Sequence, residues 1–259
     1  MSDVRGEPAG ASTVLPQLHV LPADAVPGAA AAQIARALAT AIEARGVAHW
    51  ATTGGSAAPG IYRALRVPPL RDAVGWSRIH TWWGDDRFVP ADDPLSNVLP
   101  IAGMPIPTGN LHPIPAGEAI TRGEGPEWAA ALYAAELSAL VPADPDGTPV
   151  LDLVILGVGP DGHILSVFPG SAVWDEAATV CGVPAPTHIK PHVARVTIHP
   201  RLLAAARSVL VIAAGESKAA NLARAWTGDD LRELPLRAAR LATATWILDE
   251  DAAAQLPGG

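Results

Sequence analysis

The chain has 259 residues, a formal net charge of −8, 49% apolar and 17% charged residues, and a mean hydropathy of +0.22. It can bury a large core and is too apolar for disorder, while its acidic balance argues against the dense Lys/Arg surface that nucleic acid requires. A single cysteine, Cys181, rules out an intrachain disulfide and a multi-cysteine zinc site; no apolar run reaches the length of a membrane span, and the opening MSDVRGEPAG has no apolar leader core, so a cytoplasmic protein is expected.

In chain order, residues 29–45 place Ile34, Leu38 and Ile42 four apart, on one face of a helix that Gly46 ends. Residues 47–53 read as a strand closed by Gly54-Gly55-Ser56, with a short helix expected near 59–66 and a second strand over 78–84. The stretch 94–100 has room for one or two helical turns, and the Pro/Gly-rich 101–120 reads mostly as loop. Pro126 opens a helix over 126–140. Residues 151–157 form a nearly unbroken apolar run closed by glycine, the pattern of a buried strand. A weaker strand is expected at 178–183, a half-buried one at 193–199 and a second fully apolar one at 208–215. A helix over 216–226, a strand over 244–249 and a short tail helix complete the chain. Strands separated by helices predict parallel βαβ units in one α/β domain spanning residues 1–259, with room for a small subdomain in the proline-rich middle. The eight tryptophans are scattered and expected in the core or at its rim.

Ligands of open α/β sheets sit beyond the carboxyl ends of the strands, so four strand ends carry the functional reading. Thr52-Thr53-Gly54-Gly55-Ser56 joins a strand to a helix, where glycine backbone and free N–H groups suit an anion, and equally suit a plain tight turn. Asp85-Asp86-Arg87 follows the second strand and is either a site network or a solvated charge cluster. Gly157-Val158-Gly159-Pro160-Asp161-Gly162-His163 fits the bare G-x-G-x-x-G pattern, but Pro160 removes a donor and Asp161 puts a negative charge where a pyrophosphate would lie. What remains is a glycine-rich loop presenting Asp161 and His163, a pair suited to general-base work near neutral pH. Finally, Lys218, one of only two lysines in the chain, opens a helix directly after an apolar strand and suits a phosphate. His188 and His192 have the four-residue spacing of metal ligands, but Pro191 between them argues against a helix, and no metal is expected.

Together these segments resemble the 6-phosphogluconolactonase family. The matching pieces are ATTGGSAAPGIY (51–62), WWGDDRFVPADDPLSN (82–97), LDLVILGVGPDGHILSVFPGS (151–171), ARVTIHPRLL (194–203), GESKAANL (215–222) and PLRAARLATATWILDEDAA (235–253). The resemblance implies a modified Rossmann-like, mostly parallel sheet flanked by helices, shared with glucosamine-6-phosphate deaminase and ribose-5-phosphate isomerase. It implies hydrolysis of 6-phospho-D-glucono-1,5-lactone in the oxidative pentose phosphate pathway, with a sugar phosphate as partner and no cofactor. Two departures stand out. Asp86 occupies a place where the family reads Glu, and His163-Ile164-Leu165-Ser166 replaces the family's His-Thr-Ala-Ser. The deaminases' Phe-Asn-Glu-Pro glutamate is absent, with Phe168 in its place.

On this reading His163 and Asp161 are the catalytic pair: His163 activates water, and Asp161 orients the loop or the imidazole. Gly54, Gly55, Ser56, Asp85, Arg87, Arg195 and Lys218 hold the substrate and its phosphate. An isomerase or deaminase using Asp85 or Asp86 remains an alternative. So does a phosphosugar-sensing domain, although the first 28 residues are too short and proline-rich for a DNA-binding helix pair. A monomer or small homo-oligomer is expected.

Overall fold

The computed structural model describes residues 15–257. The opening decapeptide, and part of the 28-residue stretch discussed above, lie outside them.

The first half of the chain comprises β1 (Gln17–Leu21), α1 (Val26–Arg45), β2 (Ala48–Thr52), α2 (Ala58–Leu65), β3 (Ile79–Trp83), β4 (Asp85–Arg87), β5 (Leu111–His112), α3 (Ala116–Arg122) and α4 (Pro126–Leu140). The second half comprises β6 (Leu153–Gly157), β7 (Val180–Val183), β8 (Arg195–Ile198), α5 (Arg201–Ala205), β9 (Val209–Ala213), α6 (Ala219–Trp226), β10 (Ala244–Asp249) and α7 (Glu250–Ala253). Seven strands form one parallel sheet in the order β1-β10-β9-β6-β2-β3-β5. From β2 the chain builds outward through β3 to β5, and from β6 it builds the other way through β9 to β10. The order therefore reverses between β2 and β6, where Trp50 pairs with Leu153 and Ala51 with Val154. That reversal opens a crevice at the carboxyl ends of these two strands.

The central strands are buried on both faces, which is why β6 and β9 read as continuous apolar runs. Trp50, Trp82, Trp83 and Trp246 are fully buried. Their indole N–H groups are satisfied: Trp50 donates to Thr81 Oγ1 at 2.7 Å, Trp83 to the Asn97 carbonyl at 2.8 Å and Trp246 to the Ala239 carbonyl at 3.1 Å.

Three sequence expectations are corrected. The segments at 178–183 and 193–199 are strands, but not parallel ones: β7 and β8 join β4 in a separate antiparallel sheet, β4-β8-β7. Only one short loop separates β7 from β8, too little chain for a crossover helix. The stretch 101–120 ends in helix α3 rather than loop. The helix placed at 216–226 begins as a 3-10 turn over Glu216–Lys218, so Lys218 sits at the N-cap of α6. Among the described residues no helix is long and apolar enough to cross a membrane.

Candidate active site

A cavity of about 520 Å³ lies over the ends of β2, β6 and β9. Its walls come from six separated stretches: Ala23 to Pro27, Thr53–Gly60, Asp85 to Asn97, Gly157–Leu165, Ile189 to Arg195, and Ile212 to Lys218. Each wall is fixed by local chemistry. At the end of β2, the Tyr62 hydroxyl donates to the Thr53 carbonyl at 2.9 Å and also contacts the Thr52 hydroxyl. Gly55 turns the chain at φ +81°, which suits glycine. The N–H groups of Gly54, Gly55 and Ser56 have no protein acceptor among the described residues. They precede α2 and can face an anion. A side chain at Gly54 would collide with Asn97, so glycine here lets the β4 loop close against the β2 loop.

The wall from Asp85 to Asn97 is braced by Asp86. Its Oδ1 accepts the N–H groups of Arg87 and Asn97, each at 2.7 Å, and its Oδ2 accepts the Ser96 hydroxyl at 3.0 Å. Asp86 does not line the cavity. The carboxylate whose shortening stood out in the sequence is thus a loop brace, and the isomerase alternative cannot use it. Burial pushes its carboxyl up to about 6 despite the three hydrogen bonds. A group raised from 3.8 to about 6 stabilises the fold fully below pH 4 and loses that contribution as pH rises to about 6. Unfolding free energy measured against pH should therefore fall over this window in the wild type, and the fall should be smaller in Asp86→Asn. Equal slopes would refute the assignment.

Asp85 does face the cavity. Its Oδ2 accepts the Ser166 hydroxyl at 2.5 Å, leaving Oδ1 open. The Gly157–His163 loop folds back on itself, with Gly159 N–H donating to the His163 carbonyl at 2.9 Å. Oδ1 of Asp161 accepts from Nδ1 of His163 at 2.5 Å. With Nδ1 as donor, Nε2 of His163 is the free acceptor, and no hydrogen bond occupies it among the described residues. Burial pushes the Asp161 carboxyl up, but the hydrogen bonds and charge of His163, with a bond from His188, outweigh it and hold it well below the usual carboxylate range. Phe168 packs on His163 with ring centroids 4.7 Å apart. The position where the deaminases carry a glutamate is therefore apolar.

Arg87, Lys190, Arg195 and Lys218 bring four cations to the cavity, and none has a carboxylate within ion-pair distance among the described residues. Arginines elsewhere differ: Arg232 pairs with Asp175 and Arg240 with Asp229. Arg195 is only 3% exposed and donates to the carbonyls of Val193 and Pro191, so much of its guanidinium is spent on the loop. Arg87 donates from Nη1 to the Leu95 carbonyl at 2.6 Å. The two lysines are the freest charges. Burial lowers the Lys218 ammonium from its ordinary range, and the Asp161 carboxylate pulls it back up.

Gly54, Gly55, Ser56, Asp85, Arg87, His163, Arg195 and Lys218, singled out from the sequence, all line this one cavity, and Asp161 stands behind His163. Sequence reasoning missed Lys190, although the scarcity of lysine that drew attention to Lys218 applied to it equally. It also considered His188 only as half of a metal pair with His192, set that pair aside, and assigned His188 no other role. Their side chains diverge: His188 bonds to Asp161, while His192 bonds to the Pro186 carbonyl.

Residues 22–247 match the family model described as glucosamine-6-phosphate isomerases/6-phosphogluconolactonase. The chain belongs to this family. Within it, the chain is 39% identical to the 6-phosphogluconolactonase of Streptomyces coelicolor, over 88% of this chain and 90% of that one. It is 37% identical to the Mycobacterium leprae 6-phosphogluconolactonase, over 89% and 94% of the two chains. Among solved structures, 6-phosphogluconolactonase from Trypanosoma cruzi superposes with a TM-score of 0.85 at 25% identity, covering 96% of this chain and 100% of that one. A monomeric glucosamine-6-phosphate deaminase shares the fold, with a TM-score of 0.74 at 17% identity over 92% and 99% of the two chains.

Proposed function

We infer that the chain is a 6-phosphogluconolactonase, which hydrolyses 6-phospho-D-glucono-1,5-lactone to 6-phospho-D-gluconate in the pentose phosphate pathway. The observation that carries the reading is an Asp161-anchored imidazole whose free Nε2 belongs to a cavity walled by four unpaired cations. The phosphate is assigned to the backbone donors of Gly54 and Gly55, to Ser56, and to Arg87, Arg195 and Lys218. Lys190 adds a further charge on the same wall. The open oxygen of Asp85 is assigned to a sugar hydroxyl.

In the first step Nε2 of His163 takes a proton from water as the water oxygen bonds to the lactone carbonyl carbon. Negative charge moves onto the carbonyl oxygen, where backbone N–H groups of a glycine-rich turn stabilise it. Asp161 stabilises the imidazolium that forms. In the second step the carbonyl re-forms, the bond from C1 to the ring oxygen breaks, and the imidazolium returns its proton to that oxygen. The resulting carboxylic acid then ionises. Proton transfer and water attack complete the reaction, so no cofactor enters it. We propose that one α/β unit over residues 1–259 performs it in the cytoplasm, as a monomer or small homo-oligomer, acting on a sugar phosphate rather than on nucleic acid or membrane.

The deciding experiment is hydrolysis of freshly generated 6-phosphogluconolactone with the spontaneous rate subtracted. Turnover far above that blank is expected; a rate equal to it would overturn the reading. Lys218→Ala should raise KM about tenfold or more with a smaller change in kcat, since a desolvated charge pair to phosphate is made in ground and transition states alike. An unchanged KM would remove Lys218 from the phosphate site.

A further inference from the structure

Asp161 spends its two oxygens on two different imidazoles. Oδ1 accepts from Nδ1 of His163 at 2.5 Å, and Oδ2 accepts from Nε2 of His188 at 2.8 Å. The reaction derived above uses only the first contact. His188 arrives from the segment between β7 and β8, whose next two residues, Ile189 and Lys190, line the cavity. Phe168 sits beside both imidazoles, 4.7 Å from the His163 ring and edge-on at 5.7 Å from the His188 ring.

A carboxylate rotates broadly about its last torsion when one donor holds it. A donor on each oxygen removes that freedom. Oδ1 then stays against Nδ1 of His163, the Nδ1–H tautomer is retained, and Nε2 remains the acceptor that faces the substrate. The backbone N–H of His163, 3.2 Å from the same Oδ1, does not supply this constraint, because it pulls on the oxygen already engaged. Among the described residues only His188 hydrogen-bonds to Oδ2.

We propose that His188 is a positioning residue for the hydrolysis: it fixes the plane of the Asp161 carboxylate and through it the catalytic orientation of His163. The proposal rests on His163 being the base. The His188 side chain is half exposed, so its removal leaves no core cavity and the variants should fold.

The test is a double-mutant cycle on lactone hydrolysis, with His188→Ala, His188→Gln, Asp161→Asn and His188→Ala/Asp161→Asn, alongside His163→Ala. His188→Ala should lower kcat about three- to tenfold with KM nearly unchanged, the range for neighbours in one hydrogen-bond network. His188→Gln, whose amide offers a donor at similar reach, should recover most of the loss. In the Asp161→Asn background the same alanine change should lower kcat less than about twofold, because the carboxylate it acts through is gone. The same factor in both backgrounds would overturn the proposal. So would a rise in KM alone, which would make His188 a tether for the Lys190 wall. A large loss in His163→Ala with no loss in His188→Ala overturns this proposal only. Full turnover in His163→Ala overturns the base assignment itself.

Discussion

Replacing His163 by alanine is expected to lower kcat by about 10²- to 10⁴-fold, the usual worth of a positioned general acid–base group. The same imidazole accepts the water proton and returns it to the ring oxygen, so both steps lose their carrier at once. What survives is binding and electrostatic stabilisation of the oxyanion, which keeps the variant above the spontaneous rate. KM should change little, because the cations that hold the phosphate stand on other walls: Arg87 on β4, Arg195 on β8, Lys190 on the segment before it and Lys218 at the start of α6. Initial rates with the blank subtracted decide the matter. A loss below threefold would exclude His163 as the proton carrier.

Gly159→Ala should be almost as damaging, although it alters no group that touches substrate. A Cβ at Gly159 would fall within the His163 ring, against Nδ1, Cε1 and Cγ. Asp161 holds the Nδ1 edge of the ring and Phe168 packs on it, so the ring can yield only toward the cavity. It must tilt, and a displacement of the order of an ångström at a catalytic group costs about 10²-fold in rate. Relieving the clash should also cost about 1–3 kcal/mol of stability, as overpacking does elsewhere. Thermal unfolding together with kcat per folded molecule separates the two effects. A folded variant with wild-type kcat would show that the imidazole can turn over from another position.

The legible parts of this fold were those where burial writes itself into the sequence. β6 and β9 are apolar on both faces and closed by glycine; β10 is buried along its whole length too, with Thr245 inside it and Asp249 at its end. β1 went unread because it is an edge strand. Four of its five residues are exposed, among the described residues it pairs only with β10, and its alternating Leu18 and Val20 are themselves exposed, a pattern too short to mark a buried face. The partners of β7 and β8 were also hidden, since alternation signals a strand but not the sheet it joins. At the site, residues directly after parallel strands could be found by position alone, which is how Gly54–Ser56, Asp161, His163 and Lys218 were reached. His188 and Lys190 could not, because they arrive on an antiparallel excursion that obeys no such rule. The spacing of His188 and His192 gave no guide to a role, because Pro191 keeps them out of a regular element and spacing carries meaning only inside one.

The reversal of strand order between β2 and β6 has a consequence for how activity is acquired during folding. The cavity borders on loops that follow strands far apart in the chain, and the pairing of Trp50 with Leu153 that brings them together spans a long loop. Such closures are entropically costly and set the pace of parallel-sheet folding. The Gly157–His163 loop carries the Asp161–His163 pair, but no short segment of the chain brings that pair together with the cations. Helical signal should therefore return early in refolding, while turnover waits for the two halves of the sheet to dock, which makes catalysis a reporter of the last assembly step.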